Sequence, residues 1–290
     1  MKKIRFIFIM ALILTVFSGG FVLAKQADWP DEVEFAAVPT ESVATMSERL
    51  DPIVKELEKA LGIKVRLRHA SDYRGVIEAI RSEKIEFAMF GPKSYIEARD
   101  NYGNCEPIVK QIEDNGSGGY RSCLIASTET DIFSPEDAQG ASFAFNDPNS
   151  TSGYLVPMTL FLQKLKTKPD NYFSKVTFSG SHEASIITVA NGHVEAASTN
   201  LEAIKRAVAG NKIDERKIRV IWVSDLIPND PIAVRTDLPE SFRKALQQAL
   251  INMDKSALKK AGWGGFTIVD DSHYQPIRDL NNLRKELQNN

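Results

Sequence analysis

The chain is poor in cysteine, and the little that it has argues against redox catalysis. Only two of the 290 residues are cysteines, Cys105 and Cys123, and they form no CxxC motif. Neither has a histidine beside it in sequence. In an oxidising compartment the pair could close into a disulfide, or both could remain buried thiols, because the separation of their Cα atoms decides. The sequence leaves both alternatives open.

An excess of one charge is also missing. The full chain has 36 basic and 38 acidic residues, and the first 24 residues contain three of the basic ones. Without that segment, 33 basic residues face 38 acidic ones, which gives a mildly acidic chain of net charge −5. Binding to nucleic acid or to an anionic membrane is not expected of such a protein.

A long apolar run occurs only near the N-terminus. Three basic residues precede an uncharged run from Phe6 to Phe17, and a short apolar segment ends at Ala24. This pattern predicts a secretory signal peptide, residues 1–24, that is cleaved after Ala24. An uncleaved membrane anchor is the alternative, but the run is shorter than the about 20 residues that span a bilayer. Since no cysteine lies near Ala24, no lipid anchor is expected there, and the mature chain should be soluble outside the cytoplasm.

Short apolar segments alternate with amphipathic ones along the rest of the chain. This alternation predicts an α/β fold, in which helices cover both faces of a sheet. A flexible hairpin loop at 115–119 is expected to join two strands, and three helices are expected after the last strand. The predicted strands are 33–38, 63–68, 86–90, 107–112, 121–126, 141–145, 175–179, 194–198, 219–223 and 231–235.

The order of these segments predicts two lobes. A second alternating block follows residue 126 and extends to about residue 222, after which the chain returns to a strand and helices. We therefore expect residues 25–126 and 230–290 to form lobe one and residues 127–229 to form lobe two. Two crossings between lobes make a hinge with a cleft beneath it, which is where small ligands usually bind.

A cluster of hydroxyl side chains lies at the predicted start of a helix. Residues 147–149 turn the chain after a strand, and Ser150, Thr151, Ser152 and Gly153 begin the helix. A helix start has about four N–H groups without partners and roughly half a positive charge, so it can hold an anion. One such serine would be an ordinary helix cap, but three consecutive hydroxyls exceed what capping requires. The motif therefore predicts an anion site that needs no Arg or Lys.

Several segments resemble one known family, the periplasmic phosphonate-binding proteins of ABC importers, which are related to phosphate and phosphite binders. They occur in family order across nearly the whole mature chain, and the fourth is the most specific. The resemblance implies a type II periplasmic binding-protein fold, two α/β lobes that close on a ligand. The segments are DYRGVIEAI (72–80), FAMFGPKSYIEA (87–98), GSGGYRS (116–122), DPNSTSGYLVP (147–157), SHEASIITVANGHVEAAS (181–198), LIPNDPI (226–232) and GWGGF (262–266).

The resemblance also implies roles for individual residues. Three hydroxyl residues match the triplet that grips the phosphonate oxygens, and three further residues match contacts to the same head group. Glu202 and Asp230 match the positions that hold the ammonium of aminoalkyl phosphonates. The six head-group residues are Ser150, Thr151 and Ser152, with Tyr73, Tyr120 and His182.

Each of these residues also has an ordinary structural explanation. The two tyrosines could be packing aromatics, Glu202 could be an exposed helix carboxylate with a basic neighbour, and Asp230 could be a turn residue. A ring N–H of His182 could face the cleft, where partial protonation would assist an anion. Phe90 and Arg121 differ from the residues that are frequent in the family, which bears on the preferred tail of the ligand.

The function implied is that of a monomeric periplasmic binding protein, without cofactor or metal, that delivers a phosphonate to an ABC permease. The preferred ligand is 2-aminoethylphosphonate, and phosphate, phosphite or another alkylphosphonate is the alternative. A secreted hydrolase with Ser150 or Thr151 as nucleophile and His182 as base is a further alternative. It is not favoured, because the chain has no GxSxG or HExxH motif and its four histidines are scattered.

Overall fold

The computed structural model describes residues 26–289. The predicted signal peptide, 1–24, lies outside the described residues. Within the described range, no helix has both the length and the apolar character needed to span a bilayer.

Thirteen strands and ten α-helices are found within residues 26–289. The strands are β1 (Glu32–Ala37), β2 (Lys64–Arg68), β3 (Phe87–Met89), β4 (Cys105–Glu113), β5 (Gly119–Tyr120), β6 (Ser122–Ser127), β7 (Ser142–Phe145), β8 (Lys175–Phe178), β9 (Ala196–Asn200), β10 (Ile218–Val223), β11 (Ile227–Pro228), β12 (Pro231–Arg235) and β13 (Trp263–Ile268). The helices are α1 (Val43–Leu61), α2 (Tyr73–Arg81), α3 (Pro92–Tyr102), α4 (Val156–Gln163), α5 (Pro169–Tyr172), α6 (His182–Ala190), α7 (Leu201–Ala209), α8 (Glu240–Ile251), α9 (Lys255–Ala261) and α10 (Gln275–Asn289).

The first sheet has six strands in the order β13-β4-β12-β3-β1-β2. The three strands β2, β1 and β3 run parallel, and the later strands join antiparallel. Helix α1 packs on this sheet through a regular apolar stripe and ends at Gly62, whose φ of 67° is the left-handed conformation that favours glycine. All ten strands predicted from the sequence are present, with ends that differ by one or two residues.

The second sheet has five strands in the order β10-β6-β9-β7-β8. Strand β6 pairs with β9 and β10 here and not with the first sheet. The expected boundary after residue 126 assigned this strand to lobe one, so we place the boundary between β5 and β6. The hairpin expected around 115–119 is also wrong, because β4 and β6 lie in different sheets. These residues instead form a turn that leads from β4 into the hinge.

The hinge is a small structure of its own. The chain passes from the first sheet to the second through β5 and returns through β11, and these two strands pair antiparallel with each other. Helix α10 adds a contact that the sequence did not predict, because it packs on α3 beside the first sheet and on α4 beside the second. The two-crossing hinge of a type II binding-protein fold is therefore present, with the C-terminal helix contacting both lobes.

The two cysteines are free and buried. Cys105 lies in β4 of the first sheet and Cys123 in β6 of the second, where each packs in a separate apolar cluster. The disulfide alternative is therefore wrong, since strands of different sheets hold the two thiols apart. Burial raises the pKa of both thiols, which keeps them protonated and unreactive.

Strand β13 was not predicted from the sequence. Two consecutive glycines, Gly264 and Gly265, weaken the strand signal, and the pairing with β4 shifts register between Trp263 and Gly265. A Cβ on Gly264 would lie 2.3 Å from the carbonyl oxygen of Glu113, so only glycine permits this close approach. The strand matters for function because Trp263 lies in the wall of the cleft.

Candidate functional site

Five helices begin around one small enclosed cavity between the two sheets. Its water-accessible volume is about 50 Å³. The residues that start these helices all line it: Tyr73 of α2, Gly91 before α3, Ser150 before the helical turn that precedes α4, His182 of α6 and Asn200 before α7. Each helix start carries a partial positive charge. Together these helix starts favour a negative group in the cavity, although none of them contributes a formal charge.

The hydroxyl cluster is built as a tight π-helical turn, Thr151–Leu155, that continues into α4. All three hydroxyl residues are buried, and each hydroxyl has a different partner. Ser150 Oγ accepts a hydrogen bond from the N–H of Gly153 at 2.9 Å, and Thr151 Oγ1 accepts one from the N–H of Lys93 at 2.8 Å. Both hydroxyls keep their own hydrogen to donate, and both line the cavity.

The third hydroxyl is directed elsewhere. Ser152 does not line the cavity, and its Oγ lies 3.4 Å from Nε2 of His182. Gly153 makes room for Asn146, the residue that directly follows β7. A Cβ there would lie only 2.3 Å from Cβ of Asn146, so glycine is required by packing.

The two tyrosines and the histidine complete this end of the cavity. Tyr73 and Tyr120 are 2% and 8% exposed and line the wall as predicted. Burial raises the pKa of both phenols, with the negative charge of Asp230 adding to it, so both remain hydrogen-bond donors. Burial, with the nearby charge of Arg206, lowers the pKa of His182 to about 3. Partial protonation of His182 in the empty site is therefore wrong, and the ring acts as a neutral donor or acceptor.

Three carboxyl groups form a further part of the cavity wall, which we call the carboxyl side. They belong to Glu202 and Asp230, the two residues named from the sequence, and to Glu113 at the end of β4. Burial, then the charge of Glu202, raises the pKa of Glu113 to about 7. Burial, then Glu113, raises the pKa of Asp230 to about 7 as well. Oε2 of Glu202 is buried and has no hydrogen-bond partner within residues 26–289. The positive charges of Arg206 and Arg49 lower both pKa values but do not outweigh these effects.

Two arginines in the wall were missed by the sequence reasoning. Arg49 of α1 and Arg206 of α7 both line the cavity, which corrects the expectation of a site without guanidinium groups. Both pair with Glu41, Arg49 through Nε at 3.0 Å and Arg206 through Nε at 2.5 Å. Glu41 is only 6% exposed, and although burial raises its pKa, the two arginines outweigh this effect and lower it. The two arginines thus share one carboxylate as an ion-pair partner.

The lobes contact each other around the cavity. Arg206 of the second lobe reaches Glu41 of the first, and the N–H of Glu183 donates to the carbonyl of Thr40 at 3.1 Å. The hydrogen bond from Lys93 N–H to Thr151 also crosses between the lobes. The structure therefore shows the closed form of the cleft.

Two α/β lobes closed over a small polar cavity, beside a two-strand hinge, define a periplasmic binding protein. Comparison with known proteins gives the family. Residues 35–274 match the model of the periplasmic substrate-binding protein of phosphonate ABC transporters, and the chain belongs to that family. The resemblance inferred from the sequence motifs is confirmed.

Individual relatives agree with this assignment. The chain is 32% identical to the phosphonates-binding periplasmic protein of Escherichia coli over 88% of this chain and 77% of that protein. It is 31% identical to the phosphate-import protein PhnD of Mycolicibacterium smegmatis over 74% of this chain and 70% of that protein. The chain also superposes on the crystal structure of a binding-protein component of a phosphonate transporter from Pseudomonas aeruginosa. The TM-score is 0.84 and the identity 32%, over 89% of this chain and 87% of that chain.

Proposed function

We propose that this protein captures an aminoalkyl phosphonate, 2-aminoethylphosphonate in particular, and delivers it to the permease of an ABC importer. The observation that carries the proposal is the polarity of the cavity. Hydroxyls and helix starts form one part of its wall, and carboxyl groups, two of them with a raised pKa, form another. A zwitterion with an anionic head and a cationic tail matches both sides.

The anionic head is expected at the hydroxyl side. Ser150, Thr151, Tyr73 and Tyr120 can each donate an O–H there, and the N–H of Thr151 lies in the first helical turn, where the helix offers no acceptor. Charge-assisted hydrogen bonds contribute roughly 1.5–3 kcal/mol each. Three or four of them are enough for the about 8 kcal/mol that corresponds to micromolar affinity.

The ammonium is expected at the carboxyl side. Two arginines and three carboxyl groups line the cavity, and both arginines also contact Glu41. Burial, and then repulsion between the carboxyl groups, raises the pKa of Glu113 and of Asp230 despite the two arginines. A ligand ammonium between the carboxyl groups would remove that repulsion. Phosphate, phosphite or a simple alkylphosphonate fits the hydroxyl side equally well but leaves the carboxyl groups without a cation, so we rank these ligands lower.

Calorimetric titration with matched ligands tests this proposal. We expect 2-aminoethylphosphonate to bind at least about tenfold more tightly than methylphosphonate or phosphate, a difference of 1.4 kcal/mol. Glu202→Gln should remove most of that difference, because it weakens 2-aminoethylphosphonate binding and does not weaken methylphosphonate binding. Glu215→Gln, an exposed position on the second lobe, is the matched control. A preference for methylphosphonate or phosphate in the wild-type protein would refute the assignment of the amine side.

We further propose that the protein has no hydrolytic activity. The hydroxyl in contact with His182 Nε2 is that of Ser152, which does not line the cavity, and the hydroxyls of Ser150 and Thr151 accept hydrogen bonds from main-chain N–H groups. A histidine whose pKa is about 3 is also a weak base near neutral pH. Turnover of a chromogenic phosphate ester above the buffer rate would contradict this. A monomeric state, and retention in the periplasm without a lipid anchor, remain predictions.

A further inference from the structure

A second cavity adjoins the carboxyl side of the ligand cavity, and we call it the vestibule. Its volume is about 260 Å³. Three of its residues, Glu113, Glu202 and Arg206, also line the ligand cavity, so these three side chains form a common wall. The remaining vestibule residues are Asp114, Asn115, Lys205, Ala209 and Gly262.

The vestibule differs from the ligand cavity in its contact with water. Asp114, Asn115, Lys205 and Ala209 are all exposed, whereas most residues of the ligand cavity are buried. The vestibule also carries both signs of charge, in Asp114 and Lys205. A group placed there would remain solvated, so its polarity is not strongly restricted.

The common wall coincides with the expected position of the ligand ammonium. Glu113 and Glu202 both face the ligand cavity and the vestibule, and the buried Oε2 of Glu202 has no partner within the described part of the chain. An ammonium held between these two carboxylates therefore lies at the boundary of the two cavities. A substituent on its nitrogen that points away from the phosphonate would pass between the side chains of this common wall to reach the vestibule.

We propose that the vestibule is a subsite for a substituent on the ligand nitrogen, and that the ligand class includes N-substituted 2-aminoethylphosphonates. The inference rests on the proposed function, because it requires the ammonium at the carboxyl side. A secondary ammonium keeps two N–H groups, one for each of Glu113 and Glu202. A quaternary ammonium keeps the charge but has none.

The number of N–H groups that each compound keeps on its nitrogen predicts the order of their affinities. N-ethyl-2-aminoethylphosphonate should bind within about tenfold of 2-aminoethylphosphonate, because it loses only one of three donors. The N,N,N-trimethyl compound should bind at least tenfold more weakly than the N-ethyl compound, since two further methyl groups replace hydrogens that face the carboxylates. A closed cavity with no subsite would reject both compounds equally.

Filling the vestibule without touching the ligand cavity provides the decisive test. Ala209 lines only the vestibule and is exposed, so Ala209→Phe should fold normally and block the subsite. Calorimetry should then show N-ethyl-2-aminoethylphosphonate weakened at least tenfold, with 2-aminoethylphosphonate changed less than twofold. Ala209→Ser, a small and solvated replacement, should behave as the wild type toward both ligands.

The outcomes separate the two proposals. If 2-aminoethylphosphonate binds tightly and the N-ethyl compound is rejected more than a hundredfold by the wild-type protein, the subsite is refuted and the proposed function stands. Equal losses for both ligands in Ala209→Phe would refute the subsite as well. If 2-aminoethylphosphonate itself shows no advantage over methylphosphonate, both proposals fail together.

Discussion

Binding of an aminoalkyl phosphonate should release protons from the carboxyl side of the cavity. Glu113 and Asp230 each have a pKa of about 7 in the empty site, because both are buried among other carboxyl groups. At pH 7 each is therefore about half protonated. An ammonium beside them favours the charged forms and lowers both pKa values, so the bound site holds fewer protons than the empty one.

The size of the effect follows from those values. If both groups become fully ionised, the pair together releases about one proton for each ligand bound at pH 7. Glu113→Gln removes the contribution of Glu113, and it also lowers the pKa of Asp230, since the charge of Glu113 helps to raise it. The release should therefore fall by between half a proton and one proton. The ionisation of the phosphonate itself cancels when one ligand is compared between the two variants.

Calorimetry in two buffers that differ in ionisation enthalpy measures this release directly. The wild type, Glu113→Gln and the exposed control Glu215→Gln should be titrated with 2-aminoethylphosphonate at pH 7. The same experiment at pH 9 should show almost no contribution from the pair, because both carboxyl groups are then ionised before binding. Identical proton release by the wild type and Glu113→Gln at pH 7, or net proton uptake attributable to Glu113, would refute the electrostatic reasoning.

Three other substitutions test separate parts of the site. Thr151→Ala should weaken phosphonate binding at least about tenfold in calorimetry, because it removes a hydroxyl donor, whereas Thr151→Ser should retain most of the affinity. Gly91→Ala places a methyl group 3.6 Å from Thr151 Oγ1 and 4.0 Å from Asp230 Oδ1, so affinity should fall while the melting temperature of the ligand-free protein changes little. Glu41→Gln weakens the bridge to Arg206 between the lobes and removes a negative charge beside the two arginines of the cavity wall, so it should lower the affinity for 2-aminoethylphosphonate more than that for methylphosphonate. Solution scattering should then show a smaller ligand-induced decrease in radius of gyration than in the wild type.

The fold could be predicted from the sequence where the local signal and the tertiary context agree. Apolar periodicity located all ten of the strands that carry it, and Gly62 marked the end of α1 because its backbone conformation favours glycine. Strand β13 was missed because its pairing with β4 requires glycines that weaken any strand pattern. The boundary after residue 126 failed for a different reason. Whether β6 belongs to one sheet or the other depends on partners at least 70 positions later in the chain.

The residues of the site also fall into those that the sequence could predict and those that it could not. The hydroxyl side could be predicted because it is local, one short motif at one helix start. The carboxyl side could be predicted only where the family resemblance supplied Glu202 and Asp230. Glu113 and Arg206 carry no sequence signal, since each is one charged residue on an amphipathic element, like many others in the chain. Their role arises only when the two lobes bring them to the same cavity.

This dependence on closure links recognition of the ligand to movement of the lobes. Glu113 belongs to the first lobe, Glu202 to the second, and Asp230 to the hinge, so closing the cleft brings three carboxyl groups together at the expense of electrostatic repulsion. The bridge from Arg206 to Glu41 favours closure with any ligand, because it joins the two lobes directly. A ligand without a cation would bring a further negative charge to the closed cleft and so add to the repulsion. An ammonium instead attracts the carboxyl groups and so favours the closed cleft. Selection of the amine therefore takes place as the lobes close, and it should be visible as a greater closed fraction with 2-aminoethylphosphonate than with methylphosphonate at equal saturation.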